Sequence, residues 1–118
     1  MQLSEHFADN EFRCHHCGKL PEEGMNEELI ELLETIREMA GGRPVTVMSG
    51  YRCLIHNRAV KSKDTSQHRL GTAADIIIKG LTPKKVADIA RKLLPNCGGI
   101  GLYSSFTHVD VRRVRGRW

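Results

Sequence analysis

The stretch Gly99-Ile-Gly-Leu-Tyr-Ser-Ser-Phe-Thr-His-Val-Asp-Val111 decides the fold. Two short runs, Gly99 to Tyr103 and Thr107 to Val111, flank Ser104-Ser105, and this spacing predicts two strands joined by a hairpin turn. Strands that adjoin in this way pair antiparallel. Upstream, Pro44 to Met48 is rich in valine and reads as a further strand, and the apolar run Ala73 to Ile78, opened by Gly71 and closed by Gly80, reads as a buried one.

Two helices accompany these strands, one before the first and one between the second and third. From Asn26 to Ala40, Leu29, Leu32, Leu33, Ile36 and Met39 recur at spacings of three and four with acids between them, the pattern of a helix with one buried face. Asn26 is placed to cap its start, and Gly41-Gly42 to end it. The second helix opens with Thr82 as cap and Pro83 in the first turn, runs to Leu94, and is stopped by Pro95. Its apolar face is Val86, Ile89, Ala90, Leu93 and Leu94. Between the strands, Tyr51 to Gln67 is polar and irregular, with one helical turn expected near His56 to Val60. Helices and strands do not alternate regularly, so the expected class is α+β: a small, mainly antiparallel sheet with both helices on one face and the other face free for a site.

At 118 residues, 40% of them hydrophobic, the chain has the material for one domain, residues 1–118, with a modest core. No apolar run approaches the roughly 18 residues needed to span a bilayer. The first residues, MQLSEHFADNEF, lack the basic start and apolar stretch of a secretory leader, so the expectation is cytoplasmic synthesis with release by another route. The net charge of +4 is uneven, with Arg112, Arg113, Arg115 and Arg117 near the C-terminus and acids clustered between Glu22 and Glu38. A basic terminus with Cys14-x-x-Cys17 raises a nucleic-acid-binding reading, but that reading leaves the histidine pattern described next unused. Cys14, Cys17, Cys53 and Cys97 are open to three states: free thiols, disulfides, or ligands of a second metal.

The chemistry concentrates in Ser66-Gln-His68-Arg-Leu-Gly71-Thr-Ala-Ala-Asp75, followed 33 residues after Asp75 by His108 in Phe-Thr-His-Val-Asp110. Two imidazoles and a carboxylate are a recurrent open zinc set: three protein ligands leave a fourth position for a water whose pKa falls to about 7. Gly71 allows a sharp turn between His68 and the strand bearing Asp75. An aspartate in an otherwise apolar strand is costly to bury unless a cation or hydrogen bonds satisfy it.

The string SGYRC…HN…SQHRLGTAAD…GGIGLY…FTHVDVR…RW, from Ser49 to Trp118, resembles the peptidase M15 family, zinc D-alanyl-D-alanine carboxypeptidases and related cell-wall endopeptidases. The opening HF…EFRCHHCG is similar to its short phage and bacterial members. The resemblance implies the fold shared with the hedgehog signalling domain, Zn2+ held by His68, Asp75 and His108, Arg52 on the substrate's carboxylate, and Ser66 hydrogen-bonding substrate. It also implies a monomer acting on peptidoglycan stem or cross-bridge peptides, as a phage lysin or a related cell-wall hydrolase.

The general base departs from the family pattern, since Ser105 and Phe106 stand where relatives carry an acid or histidine. Asp110 is the candidate that remains. Residues two apart in a strand share a face, so His108 and Asp110 can both look into the site. Asp110 could instead anchor an imidazole N–H, or exchange roles with His108 as ligand. The competing reading is a zinc-binding module of the same fold that has lost catalysis.

Overall fold

A computed structural model describes all 118 residues. Helix α1 spans Glu27–Met39, capped by the Asn26 side chain, which accepts from the amides of Glu28 and Leu29. Strand β1 is Val45–Ser49, α2 is Leu54–Ala59, β2 is Ala73–Ile78, α3 is Pro83–Leu93, β3 is Gly99–Leu102, β4 is Thr107–Asp110 and β5 is Gly116–Arg117. Short 3-10 turns at Asp9–Glu11 and Gln67–Leu70 complete the order. Thr82 caps α3 by accepting from the Lys85 amide, with Pro83 in the first turn.

The five strands form one sheet in the order β1-β2-β4-β3-β5, antiparallel except for the β3–β5 pair. The class is α+β. Alternation along β2 and β4 sorts the side chains between the two faces. Ala74, Ile76, Ile78 and Val109 join Leu29, Leu33, Ile36, Val86 and Ala90 in a buried core, so α1 and α3 cover one face together. Thr107 faces the helices too, and its hydroxyl donates to the Pro83 carbonyl. Asp75, His108 and Asp110 project to the opposite face.

Three features differ from the sequence expectation. Met39, expected on the buried face of α1, is 44% exposed, and Ile30, outside the expected set, is buried. A helical turn not expected from the sequence, Gln67–Leu70, follows the polar stretch, with Ser66 as its cap and Gly71, at φ 72°, ending it in the left-handed region. Strand β5 was not expected. Two residues carry no periodicity; it exists through Trp118, whose amide donates to the Ile100 carbonyl and whose carbonyl accepts from the Leu102 amide.

Candidate metal centre

Asp75 and His108 are register partners across β2 and β4, so their side chains stand side by side on the uncovered face. The 3-10 turn before β2 brings His68 in from above, its ring centroid 5.1 Å from that of His108. The three groups converge. His68 Nε2 lies 3.3 Å from Asp75 Oδ1, and His108 Nδ1 lies 3.0 Å from the same oxygen.

The hydrogen-bond partners decide which ring nitrogens carry hydrogens. His68 Nδ1 is 2.7 Å from the Gly50 carbonyl, which can only accept, so Nδ1 donates. His68 Nε2 then presents a lone pair, is buried, and makes no hydrogen bond. His108 Nε2 is 2.7 Å from Asp110 Oδ2 and donates to it, leaving Nδ1 to face Asp75. Three donor atoms thus point at one small volume, and one of them is a buried nitrogen without a partner. That arrangement fits a cation: donors set tetrahedrally around zinc, at about 2.0–2.2 Å from it, stand roughly 3.3–3.6 Å apart.

Burial pushes the Asp75 carboxyl upward, but the two imidazoles of His108 and His68 set against it outweigh burial and hold the group well below the usual carboxylate range. Burial likewise opposes the charged form of His108, and the flanking Asp110 and Asp75 carboxylates raise it above the ordinary histidine value.

Asp110 lies behind His108, on the side of the ring away from Asp75 and His68. It is fully buried, and its oxygens accept from the Gly99 amide, from His108 and from Arg112 through both Nε and Nη2. Gly99 makes this possible, since a Cβ there would stand 2.6 Å from Asp110 Cγ. Shared strand face, the basis for naming Asp110 as base, therefore puts it beside the imidazole rather than before the three donors.

The centre opens into a cleft of about 740 Å³. Arg52 lines it, half-buried, with Nε making no hydrogen bond and Nη2 only 3.5 Å from the Ser66 hydroxyl. That hydroxyl also accepts from the His68 amide at 3.3 Å, so Ser66 caps the turn that carries the imidazole. Burial lowers the Arg52 guanidinium from its ordinary value.

Residues that sequence reasoning did not single out complete the wall. Trp118 lies against His108, ring centroids 4.9 Å apart, under the Arg112 guanidinium and over Gly101, and its Nε1 donates to the Tyr103 hydroxyl. Tyr103 stacks on Phe106 across the hairpin. The one tryptophan in a chain only 5% aromatic was a usable signal. The Gly50 carbonyl that sets the His68 tautomer was not, because backbone acceptors leave no mark in a sequence.

Comparison with known proteins gives one family and a set of similar relatives. A family model described as Peptidase M15 matches residues 5–110. Peptidoglycan L,D-endopeptidase MepK of Escherichia coli (strain K12) is 28% identical over 112 residues, covering 88% of this chain. The protein of the same name from Shigella flexneri matches equally. The chain spans 59% of the length of these relatives.

Proposed function

The chain belongs to the peptidase M15 family, and from that premise we propose that it is a zinc-dependent peptidase cleaving peptide bonds of peptidoglycan, with His68, Asp75 and His108 as the metal ligands. The observation that carries this reading is the buried, unpartnered His68 Nε2 aimed at the same volume as Asp75 Oδ1 and His108 Nδ1. When bound, zinc supplies Lewis-acid polarisation of a carbonyl and a water that ionises near neutral pH.

The chain's own residues then have separable roles. The Gly50 carbonyl and the Asp110 carboxylate each take the hydrogen of one imidazole, so that the opposite nitrogens keep their lone pairs on the site side. Arg52 brings unfilled donors to the cleft and grips a substrate carboxylate, which a planar guanidinium can hold through two parallel hydrogen bonds. Ser66 stands beside it as the second polar contact. The Trp118, Tyr103 and Phe106 rings form an apolar wall that seats the peptide and limits water. The relatives' name favours endopeptidase action on an L,D bond, over removal of a terminal D-alanine.

One observation favours the noncatalytic alternative. Apart from His68, Asp75 and His108, the cleft lining holds no carboxylate and no imidazole to accept a proton from water. Digestion of purified sacculi, with muropeptides analysed by mass spectrometry, separates the two readings. New peptide ends should appear with the zinc-loaded chain and disappear with chelator and with His68→Ala. Stoichiometric zinc binding without any new product would establish the noncatalytic module instead. Assigning the new ends to L,D or D,D bonds identifies the linkage.

A further inference from the structure

A second group of metal-binding side chains lies outside the cleft. The Sγ atoms of Cys14, Cys17 and Cys53 are within 4.8 Å of one another, and His16 Nδ1 is 3.7 Å from Cys53 Sγ. Sulfur and nitrogen donors around a tetrahedral zinc, at about 2.3 Å and 2.0–2.1 Å from it, are separated by roughly 3.6–3.8 Å. We propose that Cys14, Cys17, Cys53 and His16 form a structural zinc site that clamps the N-terminal segment to the loop bearing Arg52.

The backbone is already shaped for it. Between the first two cysteines the chain folds into a tight loop, with the Cys14 amide donating to the Lys19 carbonyl and the Gly18 amide to the Cys14 carbonyl. Gly18 closes this loop at φ 71°, where a side chain is disfavoured. The Cys53 amide points at Cys14 Sγ and the His56 amide at Cys53 Sγ, each at 3.4 Å. Amide hydrogens aimed at sulfur favour the thiolate, the form that binds metal. Several thiolates in so small a volume repel one another, and a dication removes that cost.

Four protein ligands leave no position for water, so the site is closed and its role is structural. What it holds together is specific. Cys53 follows Arg52, the Tyr51 amide donates to the Phe12 carbonyl, and Gly50 lies so close to Phe12 that a Cβ would come within 2.7 Å of its Cα. The same short loop therefore carries the cleft arginine and the carbonyl that orients His68. Cys97 is exposed and lies outside the group, which makes it an internal control.

The test is cobalt(II) substitution of the reduced full chain, read by absorption. Thiolate ligands give an intense near-ultraviolet charge-transfer band that a His/Asp/His set cannot produce. The band should reach the same full intensity per chain in the wild type, Cys97→Ser and His68→Ala, saturating at one equivalent in His68→Ala, and be lost in Cys17→Ser and Cys53→Ser. Retention in His68→Ala keeps this result independent of the cleft metal. In parallel, zinc should protect three of the four thiols from a thiol reagent, and chelator should expose all four. Absence of the band in the reduced wild type would overturn the proposal, as would a disulfide among Cys14, Cys17 and Cys53 in protein isolated under reducing conditions. Neither of these measurements depends on a variant folding.

Discussion

Asp110 shows how much one side chain's direction decides. Its carboxylate is buried, bridged to Arg112 and bonded to His108 Nε2. Burial would raise it, but His108 and Arg112 keep it well below the ordinary carboxylate range, so it stays an acceptor over the working pH range. A positioning residue and a base fail differently when changed. Asp110→Asn keeps an oxygen for the ring hydrogen but loses the charge, and should weaken zinc binding by roughly 10–100-fold, the usual cost of altering a group that orients a metal-ligating histidine. Competition with a chromogenic chelator measures this directly. Unchanged zinc affinity with turnover lost and the acidic limb of the pH–rate profile displaced would instead make Asp110 the base. The identities of the converging groups were legible, because His68, Asp75 and His108 sit in a motif of fixed spacing. The direction of Asp110 was not, since strand periodicity gives a face, while Gly99 and Arg112 decide where on that face the carboxylate lies.

The elements followed their local signals where those signals were strong. Asn26, Thr82 and Pro83 marked helix starts because caps act through neighbouring amides, and β2 matched its expected bounds because glycines and an apolar run enclose it. Nonlocal attachments left no such trace. The N-terminal segment is held to α1 by Glu34, which accepts from the Ser4 hydroxyl, the His6 amide and His6 Nδ1. Arg37 donates to His6 Nε2, which leaves Nδ1 to carry the hydrogen given to Glu34. Burial raises the Glu34 carboxyl, but these hydrogen bonds prevail and lower it from its ordinary value of 4.5. A depressed folded value means that stability is fully present above the unfolded value and is lost as pH falls through the folded one. Glu34→Gln should therefore cost about 1 kcal/mol at pH 7. The gap to the wild type should narrow as the pH drops below about 4.5. Thermal melts of both proteins from pH 7 to pH 3 check this, and a gap that persists undiminished at pH 3 would contradict the assignment.

Across the whole molecule the charge is distributed to match the site. The C-terminal arginines that suggested a free basic patch are partly used inside the fold: Arg112 pairs with Asp110, and Arg117 donates to the Leu94, Gly98 and Cys97 carbonyls. Around the cleft, Arg52, Lys61, Lys63 and Arg112 face a lining whose one carboxylate is Asp75. A concave surface lined by one sign of charge focuses its field and raises the local concentration of oppositely charged substrate. Peptidoglycan stem peptides carry free carboxylates, so on the proposed function Lys61 and Lys63 act in capture and Arg52 in the final grip. Lys61→Glu with Lys63→Glu should then raise KM several-fold with kcat little changed, because long-range attraction acts equally on bound substrate and transition state. The wild-type kcat/KM should fall as salt is raised from about 0.01 to 0.15 M, over which the screening length shrinks from roughly 30 to 8 Å. The double variant should lose most of that dependence. Equal salt dependence in the two proteins would assign capture to Arg52 and Arg112 within the cleft, and would remove the lysine rim from the mechanism.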